Sequence, residues 1–185
     1  MGNIPNFTDV NIAIIERCQK GERKAFQELY NLYAKAMFNI SLRILNNSVE
    51  AEEVLQDSFL KAFEKISNYD KKYSFGVWLK RIVINRSLDV LKKRKLNFVA
   101  IDDADFREEE QDEESFYDVD VLKKCILELP DGYRTILTLF VFEECSHKEI
   151  AALHNISEGT SKSQYNRAKK KLTELVKQKM VSNDR

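Results

Sequence analysis

The chain has 185 residues, with 30 Lys and Arg balanced by 30 Asp and Glu, and only 5 Gly and 2 Pro. That length suits one medium domain or two small ones, and the scarcity of Gly and Pro favours a mostly helical chain. No apolar run approaches a membrane span, and MGNIPNFTDV lacks a basic stretch followed by a hydrophobic one. Neither membrane insertion nor a secretory signal is therefore expected.

The balanced charge hides blocks. Residues 1–100 carry a net +6, residues 101–120 carry −10, and residues 121–185 carry +4. Two basic blocks thus flank an acidic connector, and each block suits a polyanion that the connector would repel. Cys18, Cys125 and Cys145 are an odd set at distant positions, which reads as buried thiols in a reducing cytoplasm. His147 and His154 form no metal motif with them and read as surface or helix-end histidines. No metal or cofactor is expected.

The first helix starts at Ile12–Cys18 and is interrupted by Gly21. Ala25–Leu45 is a long amphipathic run with Phe26, Leu29, Tyr30, Tyr33, Met37, Ile40 and Ile44 on its apolar side. Asn46-Asn47-Ser48 is a turn, and Ser48 ahead of Glu50 and Glu52 starts the next helix, Val49–Ile66. That helix turns Leu55, Phe59, Ala62, Phe63 and Ile66 inward, and Glu52, Glu53, Gln56, Asp57 and Lys61 outward. SNYDKKYS (67–74) is a polar loop. Phe75–Lys95 is a further helix, on which Trp78, Arg81, Asn85 and Lys92 form one stripe at i, i+3, i+7 and i+14. With Tyr69 and Tyr73 just ahead, that stripe offers aromatic stacking and hydrogen bonds to unpaired bases. The same spacing equally suits Trp78 and Tyr69 as core or core-edge rings, and the residues alone leave both readings open.

AIDDADFREEEQDEESFYDVD (100–120) is too charged and too poor in large apolar groups to fold by itself. It serves as an extended tether, or it covers a basic face when no partner is bound; its composition fits both. Val121–Leu129 resumes a helix that Pro130 ends, and Asp131–Glu144 is apolar at Ile136, Leu137, Leu139, Phe140, Val141 and Phe142. Lys148–His154 is then a short helix with Ile150 and Leu153 on one face. Asn155 suits a left-handed exit, and Ser157 an N-cap followed by Glu158. In the next helix Tyr165, Ala168, Leu172 and Leu175 form a buried stripe, while Lys162, Ser163, Asn166, Arg167, Lys169 and Lys170 share the other face. A helix with an apolar back and a cationic, amide-bearing front suits a major groove, and the pair has the pattern of a helix-turn-helix. A solvated αα-hairpin has the same pattern. The expected fold is all-α: two small helical domains, 1–99 and 121–185, joined by an acidic flexible linker, 100–120.

Three stretches resemble a known family in the right order. AEEVLQDSFLKAFEKI (51–66), SFGVWLKRIVINRSLDVLKK (74–93) and LPDGYRTILTLFVFEECSHKEIAALHNISEGTSKSQYNRAKKKL (129–172) are similar to the core-polymerase-binding helix, the −10 helix and the −35-binding domain of extracytoplasmic-function (group 4) sigma factors of bacterial RNA polymerase. The resemblance implies a sigma region 2 over 1–99 and a region 4 over 121–185. It implies promoter DNA and core polymerase as partners, with an anti-sigma factor as a further one, and no small-molecule substrate or catalysis. By the same resemblance Glu52, Gln56, Asp57 and Lys61 dock on the coiled coil of the largest polymerase subunit. Tyr69 and Asn85 line a pocket for a flipped −10 base, with Lys65 at its rim and Trp78 and Arg81 on the strand path. Gly159, Thr160, Lys162, Ser163, Asn166, Arg167 and Lys170 meet the −35 element. The chain departs from the family at Ser161, often Val; at Gln164, often Arg; at Asn155, often Gly; and at Gly76, where a helix former is usual. A conventional helix-turn-helix regulator is the alternative, but it would leave the Trp78/Asn85 stripe unexplained.

Overall fold

The computed structural model describes residues 10–94 and 119–183, with side chains to residue 180. Every regular element among them is helical. The chain divides into two compact units, one ending at Arg94 and the other beginning at Lys95. The expected linker lies outside the described residues except for Val119 and Asp120.

The first unit holds α1 (Ile12–Gln19), α2 (Arg23–Leu45), α3 (Ser48–Glu64) and α4 (Phe75–Lys93), with a 3-10 turn at Ile66–Asn68. Gly21, at φ 82°, makes the bend between α1 and α2 that an L side chain would resist. Arg17 spans the bend by bonding both Glu22 and Glu28. Asn46 ends α2 in the left-handed conformation, its N–H donating to the Leu42 carbonyl at 2.8 Å. The start of α3 differs by one residue from the sequence expectation. Asn47, not Ser48, is the N-cap, its Oδ1 accepting from Val49 N and Glu50 N at 3.0 and 3.2 Å. Two adjacent residues could cap, and the amide of Asn47 reaches both orphan N–H groups from its extended backbone.

Helices α2, α3 and α4 pack around Leu29, Ile44, Phe59, Leu79, Val83 and Leu91, each no more than 2% exposed. Arg94 closes the bundle by bonding Glu50 and the Leu45 carbonyl. A Cβ on Gly76, in the first turn of α4, would lie 2.9 Å from the Tyr33 ring. This close approach accounts for the glycine where a helix former is usual.

The second unit holds α5 (Val119–Glu128), α6 (Asp131–Leu137), α7 (His147–His154) and α8 (Glu158–Asn183). Here α5 starts two residues inside the span expected for the linker. Asp120 suits a first helical turn through the helix dipole, and it also bonds Lys123 one turn on. The core joins Ile126, Leu129, Leu137 and Ala168, with Leu122, Tyr133, Leu172 and Leu175 packed against it. Arg134 is buried and donates to the Leu129 carbonyl at 2.8 Å and to Asp131, so its charge is both paired and hydrogen-bonded. After Leu137 the helix widens into a π turn, Thr138–Phe142. The wider turn shifts the apolar run: Leu139 is fully buried, whereas Val141 and Phe142 are 50% and 43% exposed.

The Gly76–Tyr33 approach yields a stability prediction. Alanine favours a helix over glycine by roughly 0.5–1 kcal/mol, but overpacking a fixed ring costs roughly 1–3 kcal/mol. Gly76→Ala is therefore expected to lower the urea midpoint of the first unit, and an unchanged midpoint would show that Tyr33 yields freely.

Candidate nucleic-acid interface

The two helices that form the basic front are held by their ends. Ser146 and Glu149 make a reciprocal capping box at α7: Ser146 Oγ accepts from Glu149 N at 3.3 Å, and Glu149 Oε2 accepts from Ser146 N at 2.9 Å. Asn155 leaves α7 at φ 55°, the conformation anticipated for it. Ser157 caps α8, its Oγ accepting from Thr160 N at 2.9 Å. Four residues from Asn155 to Glu158 thus turn the chain sharply, with the Ala151 carbonyl accepting from Ile156 N on one side and the Thr160 N–H capped on the other.

The back of α8 is sealed by a wider set of residues than the expected stripe, of which only Ala168 is fully buried. Ala168 is buried as anticipated, and Tyr165, Leu172 and Leu175 are half-buried. Ser161, Gln164 and Val176 are buried too. The Ser161 hydroxyl lies 3.0 Å from His147 Nδ1, and the His147 ring stacks on Phe140 at 4.4 Å. Phe140 also meets Tyr165 at 4.5 Å. His147 is thus a bridge between α7 and α8, a role that sequence spacing gave no means to see. Gln164 faces inward, so it does not take the place of an arginine on the front.

On the front, Gly159, Lys162, Asn166, Lys169 and Lys170 are exposed, and Thr160, Ser163 and Arg167 are half-buried. Lys162 pairs with Glu158 at 2.9 Å, which holds the Glu158 carboxyl below the usual carboxylate range. Lys169 sits 6.0 Å from the centre of the Tyr165 ring. The predicted −35 residues therefore share one end of one helix.

In the first unit, Arg81, Asn85 and Lys92 are exposed along α4, Trp78 is half-buried, and Lys65 is exposed at the end of α3. Tyr69 is only 5% exposed. Its hydroxyl donates to the Tyr73 carbonyl at 2.5 Å, and its ring lies 5.3 Å from Trp78 and 5.7 Å from Phe75. It belongs to an aromatic cluster beneath this face, whereas Tyr73, 65% exposed, offers a ring to solvent. Glu52, Gln56, Asp57 and Lys61 are all exposed on α3. Asp57 is bridged by Arg86 of α4 at 2.9 Å. Val49 and Leu60, 66% and 62% exposed, lie on that same face and escaped the sequence reading. Their signal was present: 49, 52/53, 56/57 and 60/61 recur at helical spacing.

Comparison with known proteins gives these faces a common identity. The family model for Sigma-70 region 2 matches residues 29–96, and that for Sigma-70, region 4, matches residues 120–172. The ECF RNA polymerase sigma factor SigM of Bacillus subtilis (strain 168) is 31% identical over 152 residues, which cover 80% of this chain and 93% of that protein. The chain belongs to the extracytoplasmic-function sigma factors of the sigma-70 family. SigW of the same organism is 28% identical over 179 residues, covering 88% and 95%. The sigma factor RpoE, solved in complex with the anti-sigma factor NepR from Bartonella quintana, shares the fold with a TM-score of 0.56 at 24% identity, over 83% of this chain and 98% of that one. As an RNA polymerase sigma factor the chain acts in transcription initiation and binds DNA, and the conventional regulator reading is not favoured. Among the described residues no helix is long and apolar enough to cross a membrane, and no three residues group as metal ligands.

The His147 bridge is expected to make the stability of the sigma factor's second unit depend on pH. Burial, and then Lys162, hold the imidazole below its ordinary range, while Glu158 acts in the opposite direction. As pH falls below about 6.5, the unfolded chain takes the proton before the folded one does, so stability present above that pH is lost as pH drops through the folded value. His147→Phe keeps a ring against Phe140 and removes the titration. Denaturant midpoints from about pH 8 to about pH 5 are expected to fall more steeply in wild type than in the variant; parallel curves would exclude the bridge as the source.

Proposed function

We propose that the first unit docks on core polymerase and reads the −10 element, and that the second reads the −35 element. The observation that carries this reading is the sealed back and basic front of α8, in a chain that also carries a region 2 match upstream. Lys162, Ser163, Asn166 and Arg167 would enter the major groove. Thr160, the Gly159 backbone and Lys170 would meet phosphate at the edges of that contact. On the first unit, Asn85 and Arg81 would hold the edge of a flipped non-template base and the strand beside it, with Trp78 as a stacking ring and Lys65 at the rim. Tyr69 would support that ring from beneath.

The α3 face, with Glu52, Gln56, Asp57 and Lys61 joined by Val49 and Leu60, would dock on the largest-subunit coiled coil. Exposed charges contribute little singly, and the two apolar side chains supply area that the charges lack. The protein would lend specificity to polymerase, catalyse nothing itself, and work in the cytoplasm. The acidic span 100–118 would tether two units that must reach separate promoter elements. Because RpoE was solved bound to the anti-sigma factor NepR, an anti-sigma factor is the natural regulator to seek.

The decisive experiment is run-off transcription with core polymerase on a promoter selected from a library randomised at both elements. The chain is expected to co-elute with core and to direct initiation at one class of site; free duplex binding without core docking would overturn the reading. On that promoter Arg167→Ala should cost about 1–3 kcal/mol and relax −35 preference, while Lys170→Ala weakens all sequences alike. Asn85→Ala should leave core binding intact and reduce permanganate reactivity of promoter thymines. Wild-type reactivity in that variant would remove the flipped-base pocket.

A further inference from the structure

Helix α1 ends ten residues before the stretch that the region 2 model matches, which begins at residue 29. Its Ile15 and Cys18 are sealed into the core. Arg17 ties it to Glu22 and Glu28 of the next stretch, and its other polar contacts reach toward the connection from α3 to α4. At the start of that connection, Gln19 Nε2 donates to the Ile66 carbonyl at 3.0 Å, across 47 residues. In the middle, Lys71 Nζ donates to Glu16 Oε1 at 3.0 Å, and Lys71 holds the left-handed φ of 60°. At the end the tie is indirect. Asn11 Nδ2 donates to the Tyr33 hydroxyl at 2.9 Å, and the Tyr33 ring packs 5.4 Å from Phe75 and against Gly76.

The connection has little regular structure of its own. Its 3-10 turn supplies Asn68 N to Lys65 O and Tyr69 N to Ile66 O at 2.9 and 3.2 Å, and the next regular element begins at Phe75. A short turn followed by an irregular segment takes its shape from what it is tied to. This segment carries Lys65 and Tyr73 and sets the Tyr69 ring 5.3 Å from Trp78.

We propose that α1 is a positioning brace for −10 recognition: Gln19, with Glu16 and Asn11, fixes the 65–75 connection so that the surface beside Trp78 is formed before DNA arrives. The inference rests on the −10 assignment above and adds an element to it. Flipping a base already costs free energy, and a connection that had to be ordered at the same moment would add to that cost. The three ties are unequal. The Glu16–Lys71 pair is exposed at both ends and holds weakly. The Gln19 bond is part-buried, and losing it strands a backbone carbonyl. Gln19 is therefore the principal positioning residue.

The test uses full-length protein on core polymerase with the selected promoter, and Asn85→Ala as the reference. Gln19→Glu keeps the side-chain size and turns the donor into an acceptor facing the Ile66 carbonyl. At a temperature where the variant is fully folded it is expected to reduce thymine reactivity about three- to ten-fold, with core co-elution and −35 duplex affinity as in wild type although the unfolding midpoint falls. Glu16→Lys and Lys71→Glu should each give about two-fold or less, and the double swap should restore wild-type melting. If Gln19→Glu melts the promoter like wild type while Asn85→Ala does not, the brace is refuted and the pocket stands. If both melt it like wild type, the pocket fails and the brace with it. If the Gln19→Glu defect follows a lowered unfolding midpoint and vanishes at temperatures where the variant is fully folded, α1 is a core helix only and the proposal falls.

Discussion

The second unit depends on how the chain turns between Asn155 and Glu158. A helix leaves four orphan carbonyls at its end and four orphan N–H groups at its start, and here one end and one start lie four residues apart. The left-handed Asn155 lets the α7 carbonyls be answered by N–H groups just beyond the helix, including Ile156 N to Ala151 O at 3.0 Å. The Ser157 hydroxyl answers the α8 start. With the Ala151 carbonyl and the Thr160 N–H answered locally, the crossing of the two helices is set by short contacts and not by a long loop. A glycine in place of Asn155 would adopt the same φ, which is why the departure from the family at this position leaves the turn intact.

Caps and stripes were legible in the sequence because they are local. Ser157, Asn155, the apolar stripe of α8 and most helix bounds follow from spacing and from what one side chain can do to its own backbone. Asn47 was missed because two adjacent residues could cap and only the backbone conformation chooses between them. What escaped was long-range. Ser161 stands where valine is often found, and its hydroxyl meets His147, fourteen residues away. Gly76 read as an anomaly until Tyr33, on another helix, supplied the reason. Tyr69 and Trp78 were left between core and interface, and the structure divides them: the first is buried, the second half-buried beside exposed Arg81 and Asn85. The π turn was invisible, since its consequence is which of six apolar residues faces out.

The same logic separates the two candidate DNA faces. On α8 the ligand-facing groups sit on a regular helix whose back is sealed, so their geometry is inherited from the fold. On the first unit, part of the candidate face comes from an irregular connection, and such a segment keeps its shape only through contacts with its neighbours. An aromatic cluster of Tyr33, Phe75, Tyr69 and Trp78 lies under that connection, each ring within 6 Å of another. Packed rings hold a surface at low entropic cost because few torsions remain to be frozen.

Charge on the α8 front is not idle before DNA arrives. Lys162 faces Glu158 one turn back, and both are more than half-exposed or close to it. An exposed i,i+4 pair contributes a few tenths of a kcal/mol, roughly 0.3–0.5. Phosphate contacts release counterions and gain more than that, so the pair yields readily to DNA. Its effect falls elsewhere. Glu158 places a negative charge in the first turn of α8, where it complements the positive end of the helix dipole.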